Sequence, residues 1–439
     1  MKFVVLIPVI LFFFSMNNHS QTVGDIAEAW EKGHVSRLMP SDVRHKDLQK
    51  YLEELKKIGI RVEEVGRSYQ NREIYQIEFG KGPLKVFMWS QMHGDEPTAT
   101  SALIDTFAFL QKNRHIPWVK RIEDAITFRA VPMLNPDGQE LYQRRSSQGV
   151  DINRDALDLK TPEAQLLKKL RDDWSPSIGF NLHNQNALTT AGSTNKQAAI
   201  SLLVVFGDAA KTTNDGLDRN KRVCGLIVQA LQNYIPGHIA RYDDDYTPTA
   251  FGDSFSAWGT PVILIETGAL QGKDEMFLVK MNFIAFLTSL SSMADGSEKT
   301  ASPSAYEMLP NNSSGRIYSY IFRNASIIDP QAPDQITIST IAAIAERRRA
   351  SFVPQVTIRS IGAPNGMSGL EEYDASSYYV VQRFGRPRVG ESAELLFYKR
   401  DRQIDWKSPD LEKNFAPDAI FSLGKFMKGA DLFPVRQNN

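Results

Sequence analysis

Apolar and polar positions alternate on two scales along this chain. Four short apolar runs, LKVFMW from Leu84, AITFRAVPML from Ala125, SIGFNL ending at Leu182 and TPVILI ending at Ile265, each break into a polar loop. Between them lie stretches with helical spacing: TATSALIDTFAFLQKN puts Leu103, Phe107 and Leu110 on one face, and Thr161-Pro162-Glu163 opens a helix running through Leu170. GKDEMFLVKMNFIAFLTSL reads as a long amphipathic helix, and KRVCGLIVQAL as another helix face. Upstream, Ser41 or Asp42 is placed to cap a helix carrying Val43, Leu48, Leu52 and Leu55 and ending at Gly59; two strands joined by the SYQNR turn follow. Apolar runs alternating with helices predict an α/β sheet covered on both faces. In such sheets ligands bind beyond the carboxyl ends of the strands, which is where His93, Glu96, His183 and Glu266 fall.

The two ends of the chain follow other patterns. Phe3 to Phe14 is an unbroken apolar run behind Met1-Lys2, followed by polar residues and a small one at Ser20. This is the pattern of a secretory signal peptide, residues 1–20, too short for the ~20 apolar residues that span a bilayer. No stable membrane span is expected after its removal, and the protein is expected to be secreted or periplasmic. Residues 21–294 read as the catalytic domain. From Asp295 the composition turns to Ser, Pro and Asn, which predicts a linker over 295–315. Beyond it, GRIYSYIFRNASIID, SFVPQVTIRSIG, SSYYVVQRF and SAELLFYKR read as short strands and STIAAIAERRRA as a helical interlude, giving a small β-rich C-terminal domain over 316–439.

Composition narrows the class without naming it. Apolar content of 42% and charged content of 23% are those of a globular protein. Lys plus Arg and Asp plus Glu both number 51, so the bulk charge does not point to nucleic acid as a partner. Cys224 is the only cysteine and reads as a buried small apolar residue; His34 and His45 fall in polar stretches and read as solvated.

The chemistry lies at the strand ends. In QMHGDE, His93 and Glu96 are three residues apart on a tight loop, so an imidazole nitrogen and a carboxylate can converge on one ion, and His183 supplies a third ligand from a separate strand. Catalytic zinc keeps a further position open for water, and a base must take that water's proton. Glu266, at the end of a buried strand, suits the task because desolvation raises a carboxyl pKa. Arg144, Arg145 and Arg154 offer cations for a developing oxyanion, and Asn153-Arg154 suits a bound carboxylate.

HGDE, NPDG, QRRSSQGVDINRD, the His of NLHNQ and the Glu of ILIETG, in that order, resemble the zinc carboxypeptidase family over about Asp42 to Leu290. The resemblance implies a mixed, mostly parallel sheet of about eight strands between helices. It implies one Zn2+ ion on His93, Glu96 and His183, with Glu266 as general base and later acid. Arg144, which fills the first position of the family's R-x-x-x-x-G-x-D-x-N-R pattern, would stabilise the oxyanion, and Asn153 and Arg154 would hold the substrate's terminal carboxylate. The family's substrate-capping Tyr falls on Tyr242 or Tyr246, and spacing favours Tyr246. The interval from Gly138 to Arg144 resembles that of compact bacterial members, whose substrates include cell-wall peptides as well as ordinary C-termini.

The expected function is therefore a zinc metallocarboxypeptidase acting on peptides or muropeptides. The competing readings are a zinc amidase or deacylase acting on muropeptides or acylated amino acids, and a non-catalytic peptide-binding protein.

Overall fold

The computed structural model describes residues 22–346, 355–362, 366–385 and 387–433. The expected signal peptide and the RRRA segment lie outside these. In chain order the strands are β1 Arg61–Arg67, β2 Glu73–Gly80, β3 Leu84–Ser90, β4 Ile126–Val131, β5 Ile178–Asn184, β6 Thr190–Ala191, β7 Ile200–Val205, β8 Ile239–Arg241 and β9 Val262–Thr267, followed by β10 Asn312–Ser313. The C-terminal set is β11 Ile317–Ile327, β12 Thr337–Glu346, β13 Gln355–Ile361, β14 Ser368–Asp374, β15 Tyr378–Gln382, β16 Leu395–Lys399, β17 Ala419–Ser422 and β18 Lys425–Lys428.

The first unit is a mixed eight-stranded sheet in the order β1-β2-β4-β3-β5-β9-β7-β8. The centre, β4-β3-β5-β9, is parallel; β1-β2, β2-β4 and β9-β7 are antiparallel. Its apolar runs are continuous because both faces are covered. Val86 and Met88 face one core with Leu103, Phe107, Ile227 and Phe283 from the helices Thr98–Lys112, Asp215–Leu231 and Glu275–Asp295. Phe87 and Trp89 face the other with Ala164, Leu167, Phe251 and Phe255 from the helices Pro162–Trp174 and Phe251–Ala257. The Glu275–Asp295 helix is not amphipathic as expected. It is long and apolar enough to cross a membrane, yet Phe283, Ile284, Phe286, Leu287 and Leu290 are buried, and it packs along four other α-helices as a core element.

Other expectations fail for local reasons. The helix expected from Ser41 or Asp42 begins at His45, because Pro40 starts a separate 3-10 turn and the Ser41 hydroxyl donates to Glu275 Oε1 at 2.8 Å instead of capping. His45 is buried with its Nε2 2.8 Å from the Glu73 carbonyl, and His34 stacks on Trp30 at 4.1 Å, so neither is simply solvated. The expected linker is packed onto the first unit. Tyr306 is buried, its hydroxyl accepts from Val204 N at 2.9 Å, and β10 pairs with β6. The expected helical interlude is the strand β12: Ile341 and Ala343 face one side, Ala342 and Ile344 the other, a period of two that a helix would scramble.

The C-terminal strands form a second sheet, β13-β12-β11-β15-β16-β17-β18, with β14 beside β11, around Phe322, Phe397 and Phe421.

Candidate metal centre

Three strands of the parallel centre deliver the expected residues to one point. After β3, Gln91 takes a left-handed turn (φ 53°), and its side chain locks the loop by donating to Gly94 O at 3.0 Å and accepting from Thr100 Oγ1 at 2.9 Å. Only glycine fits at 94, since a Cβ there would lie 2.0 Å from the Gly138 carbonyl carbon. The NPDG segment opposite starts a short helix, Pro136–Leu141. Asn135 caps it by accepting from Gly138 N at 2.8 Å and also holds the metal loop by donating to Met92 O at 3.1 Å.

His93, Glu96 and His183 are buried, and their ligand atoms lie within 4.8 Å of one another. His93 Nδ1 is 2.8 Å from Glu96 Oε1, His183 Nδ1 is 2.6 Å from Glu96 Oε2, and the two Nδ1 atoms are 3.1 Å apart. Asn184 N donates to Glu96 Oε2 at 3.1 Å, fixing the carboxylate. His183 and Glu266 are register partners on β5 and β9, so Glu266 emerges beside the cluster on the same sheet face.

Sequence reasoning missed Asp151. Its Oδ1 is 3.1 Å from His93 Nε2 and accepts from Asn153 N at 3.0 Å, while Oδ2 accepts from Arg144 Nε at 2.9 Å. A hydrogen on His93 Nε2 leaves the Nδ1 lone pair facing the cluster. This is the arrangement in which a carboxylate orients a metal-ligating histidine. The signal was present as the Asp of Gly149-x-Asp151-x-Asn153-Arg154. Two imidazoles and a carboxylate, converging and held in one tautomer, suit Zn2+.

Burial alone would lower the His93 imidazole pKa, but the Glu96 and Asp151 carboxylates outweigh it and raise the value to about 9. Burial opposes ionisation of Glu96, but the His93 and His183 rings lower its pKa overall. Burial lowers His183. Burial, reinforced by the Glu96 charge, pushes Glu266 well above the usual carboxylate range.

Arg144 reaches the same point, with Nη1 3.1 Å from His93 Nδ1 and 3.4 Å from Glu96 Oε1. Beside it opens a cavity of about 550 Å3 lined by the cluster, Glu266, Arg144, Asn153, Arg154, Tyr242 and Tyr246. Asn153 Oδ1 accepts from Phe251 N at 3.0 Å, and Arg154 Nη1 donates to Asn153 O at 2.6 Å. Tyr242 packs half-buried against the second core, and burial, followed by the charges of Glu266 and Glu96, raises its phenol pKa. Asp253, in the first turn of the Phe251–Ala257 helix, lines the same cavity, with Oδ1 accepting from Thr247 N at 2.9 Å.

Residues 46–207 match the family model described as zinc carboxypeptidase. A probable carboxypeptidase 2 of Trichophyton verrucosum is 28% identical over 199 residues, 44% of this chain and 36% of that protein. The carboxypeptidase N catalytic chain of Homo sapiens is 31% identical over 123 residues, 23% of this chain and 27% of that one. The chain thus spans well under half the length of these relatives. Among solved structures, a metallo-carboxypeptidase from Pseudomonas aeruginosa in complex with (2-guanidinoethylmercapto)succinic acid is 17% identical with a TM-score of 0.45, covering 57% of this chain and 68% of that one.

Proposed function

We propose, from the premise that the chain belongs over residues 46–207 to the zinc carboxypeptidase family, that it is a zinc-dependent metallocarboxypeptidase that removes the C-terminal residue of peptides. The observation that carries this reading is the meeting of His93, Glu96 and His183 at one point, with Glu266 beside His183 on the neighbouring strand. We assign this chemistry to residues 21–294 and, on the leader read in residues 1–20, place the protein outside the cytoplasm.

His93, Glu96 and His183 would hold Zn2+, which when bound acidifies water and polarises the scissile carbonyl. Glu266 takes the proton of the attacking water and returns it to the leaving amine. Its buried setting favours this, because a carboxyl shifted toward neutrality both accepts and releases a proton at working pH. Arg144, already aimed at the cluster through Nη1, donates to the oxygen that becomes negative in the tetrahedral state. Arg154 and the side-chain amide of Asn153 hold the terminal carboxylate on the far wall of the cavity. Tyr246 covers the bound residue from the cavity rim, with Tyr242 behind it.

Release of free C-terminal amino acid from an N-acylated peptide, abolished by Glu266→Gln and by a zinc chelator, is the expected result. Turnover unchanged in Glu266→Gln overturns the mechanism. Hydrolysis of acyl amino acids or muropeptides alone replaces the carboxypeptidase reading with an amidase one.

A further inference from the structure

A second cavity, about 880 Å3, lies between the α/β unit and the C-terminal sheet. Its inner wall is built by the loops that carry the metal centre, a few residues farther along. Asp95 adjoins Glu96, Leu188 follows His183, and Leu270 follows Glu266. Its outer wall is the C-terminal sheet, through Tyr320 of β11 and Ile344 of β12. Asn186 lines both cavities, so the second adjoins the first. The two units are tied across it where Gln271 Nε2 donates to Leu370 O.

We propose that this cleft receives the part of a peptide substrate that lies N-terminal to the scissile bond, so that the C-terminal sheet reads the substrate. The inference rests on the peptidase reading above. If the terminal carboxylate sits at Asn153 and Arg154, the chain must leave the cluster on its other side, and the second cavity adjoins the first at Asn186. Three features match an extended peptide. The volume is that of a ligand cleft. Asp95 Oδ1 is buried with no hydrogen-bond partner among the described residues, so an acceptor for a peptide N–H lies in the wall of the second cavity. Leu188, Leu270, Tyr320 and Ile344 offer apolar surface to alternate side chains of a strand-like segment. At ~3.3–3.6 Å per extended residue, a cleft of this size takes several residues. The enzyme is therefore selective for peptides over dipeptides, with apolar residues preferred upstream.

The test uses the full chain carrying Glu266→Gln, loaded with zinc, and matched N-acetyl di- and hexapeptides ending in the same two residues, the hexapeptide with Leu at the third and fourth positions from its end. Calorimetry should show the hexapeptide bound at least tenfold more tightly. Leu188→Trp and, separately, Ile344→Arg should each bring the ratio of affinities toward one. Equal affinities in the parent protein, or a ratio that neither substitution moves, overturn the cleft assignment. With wild type, equal kcat/KM on both peptides overturns the cleft alone. Tight hexapeptide binding without release of an amino acid overturns the peptidase reading alone, and binding of neither peptide overturns both.

Discussion

Replacing Asp151 tests whether this residue organises the metal centre. In Asp151→Ala, three donors lose their acceptor at once: His93 Nε2, Asn153 N and Arg144 Nε, now 3.1, 3.0 and 2.9 Å from its oxygens. Removing the outer partner of a metal-ligating histidine weakens metal binding roughly 10- to 100-fold, or about 1.4–2.7 kcal/mol. The upper end is expected here, because the same carboxylate fixes both the histidine tautomer and the loop that follows it. Asp151→Asn separates these roles. Its one oxygen can serve His93 and Asn153, but its amide then turns a donor toward Arg144 Nε. Zinc affinity should fall about tenfold, with Arg144 released and kcat reduced more than KM is raised. Zinc dissociation constants from chelator competition, with thermal melts run in parallel to exclude misfolding, give the readout. Wild-type affinity in a folded Asp151→Ala protein would show that His93 is oriented without this carboxylate and refute the reasoning.

Further outcomes follow from single contacts. Glu266 has a raised pKa in the folded protein, so its contribution to stability is present at low pH and is lost as pH rises through that value. In metal-free protein, Glu266→Gln should therefore raise Tm more at pH 8 than at pH 5, and an equal gain at both would mean that the carboxyl is not strained. Gly94→Ala drives a Cβ to 2.0 Å from the backbone of Gly138 and should cost at least about 1–3 kcal/mol in urea unfolding together with loss of zinc; a wild-type midpoint would contradict the close approach. Asp105 accepts from Trp30 Nε1, Val35 N, Ser36 N and Ser36 Oγ, all buried or partly buried, so Asp105→Ala should destabilise by roughly 3 kcal/mol or more, seen as a lower urea midpoint with the Val23–Gly33 helix, which carries Trp30, released.

The candidate metal cluster was legible because its members lie in loops or at strand ends that follow apolar runs: a buried strand leaves a strong sequence trace, and the polar stretch past it marks the sheet's ligand edge. Asp151 follows no such run and sits in a polar loop, where only its partners reveal its role. The strands β7 and β8 were not read, although Ile200–Val205 is as apolar as the runs that were, because no candidate ligand followed it. In β12 the alanines at 342, 343 and 345 favoured a helix locally, while pairing with β11 and β13 decided otherwise. The second cavity could not be read at all, since its walls come from segments far apart in the chain.

Residues 297–313 carry a practical meaning for anyone wishing to exchange the tail. This strap supplies the tyrosine that holds β7, the partner strand of β6 and, through Asn312 and Ser313, part of the lining of the first cavity. A cut at the compositional boundary would strip the first cavity of part of its wall. The natural seam lies farther on, near Gly315, whose φ of +76° and open surroundings leave room for a junction.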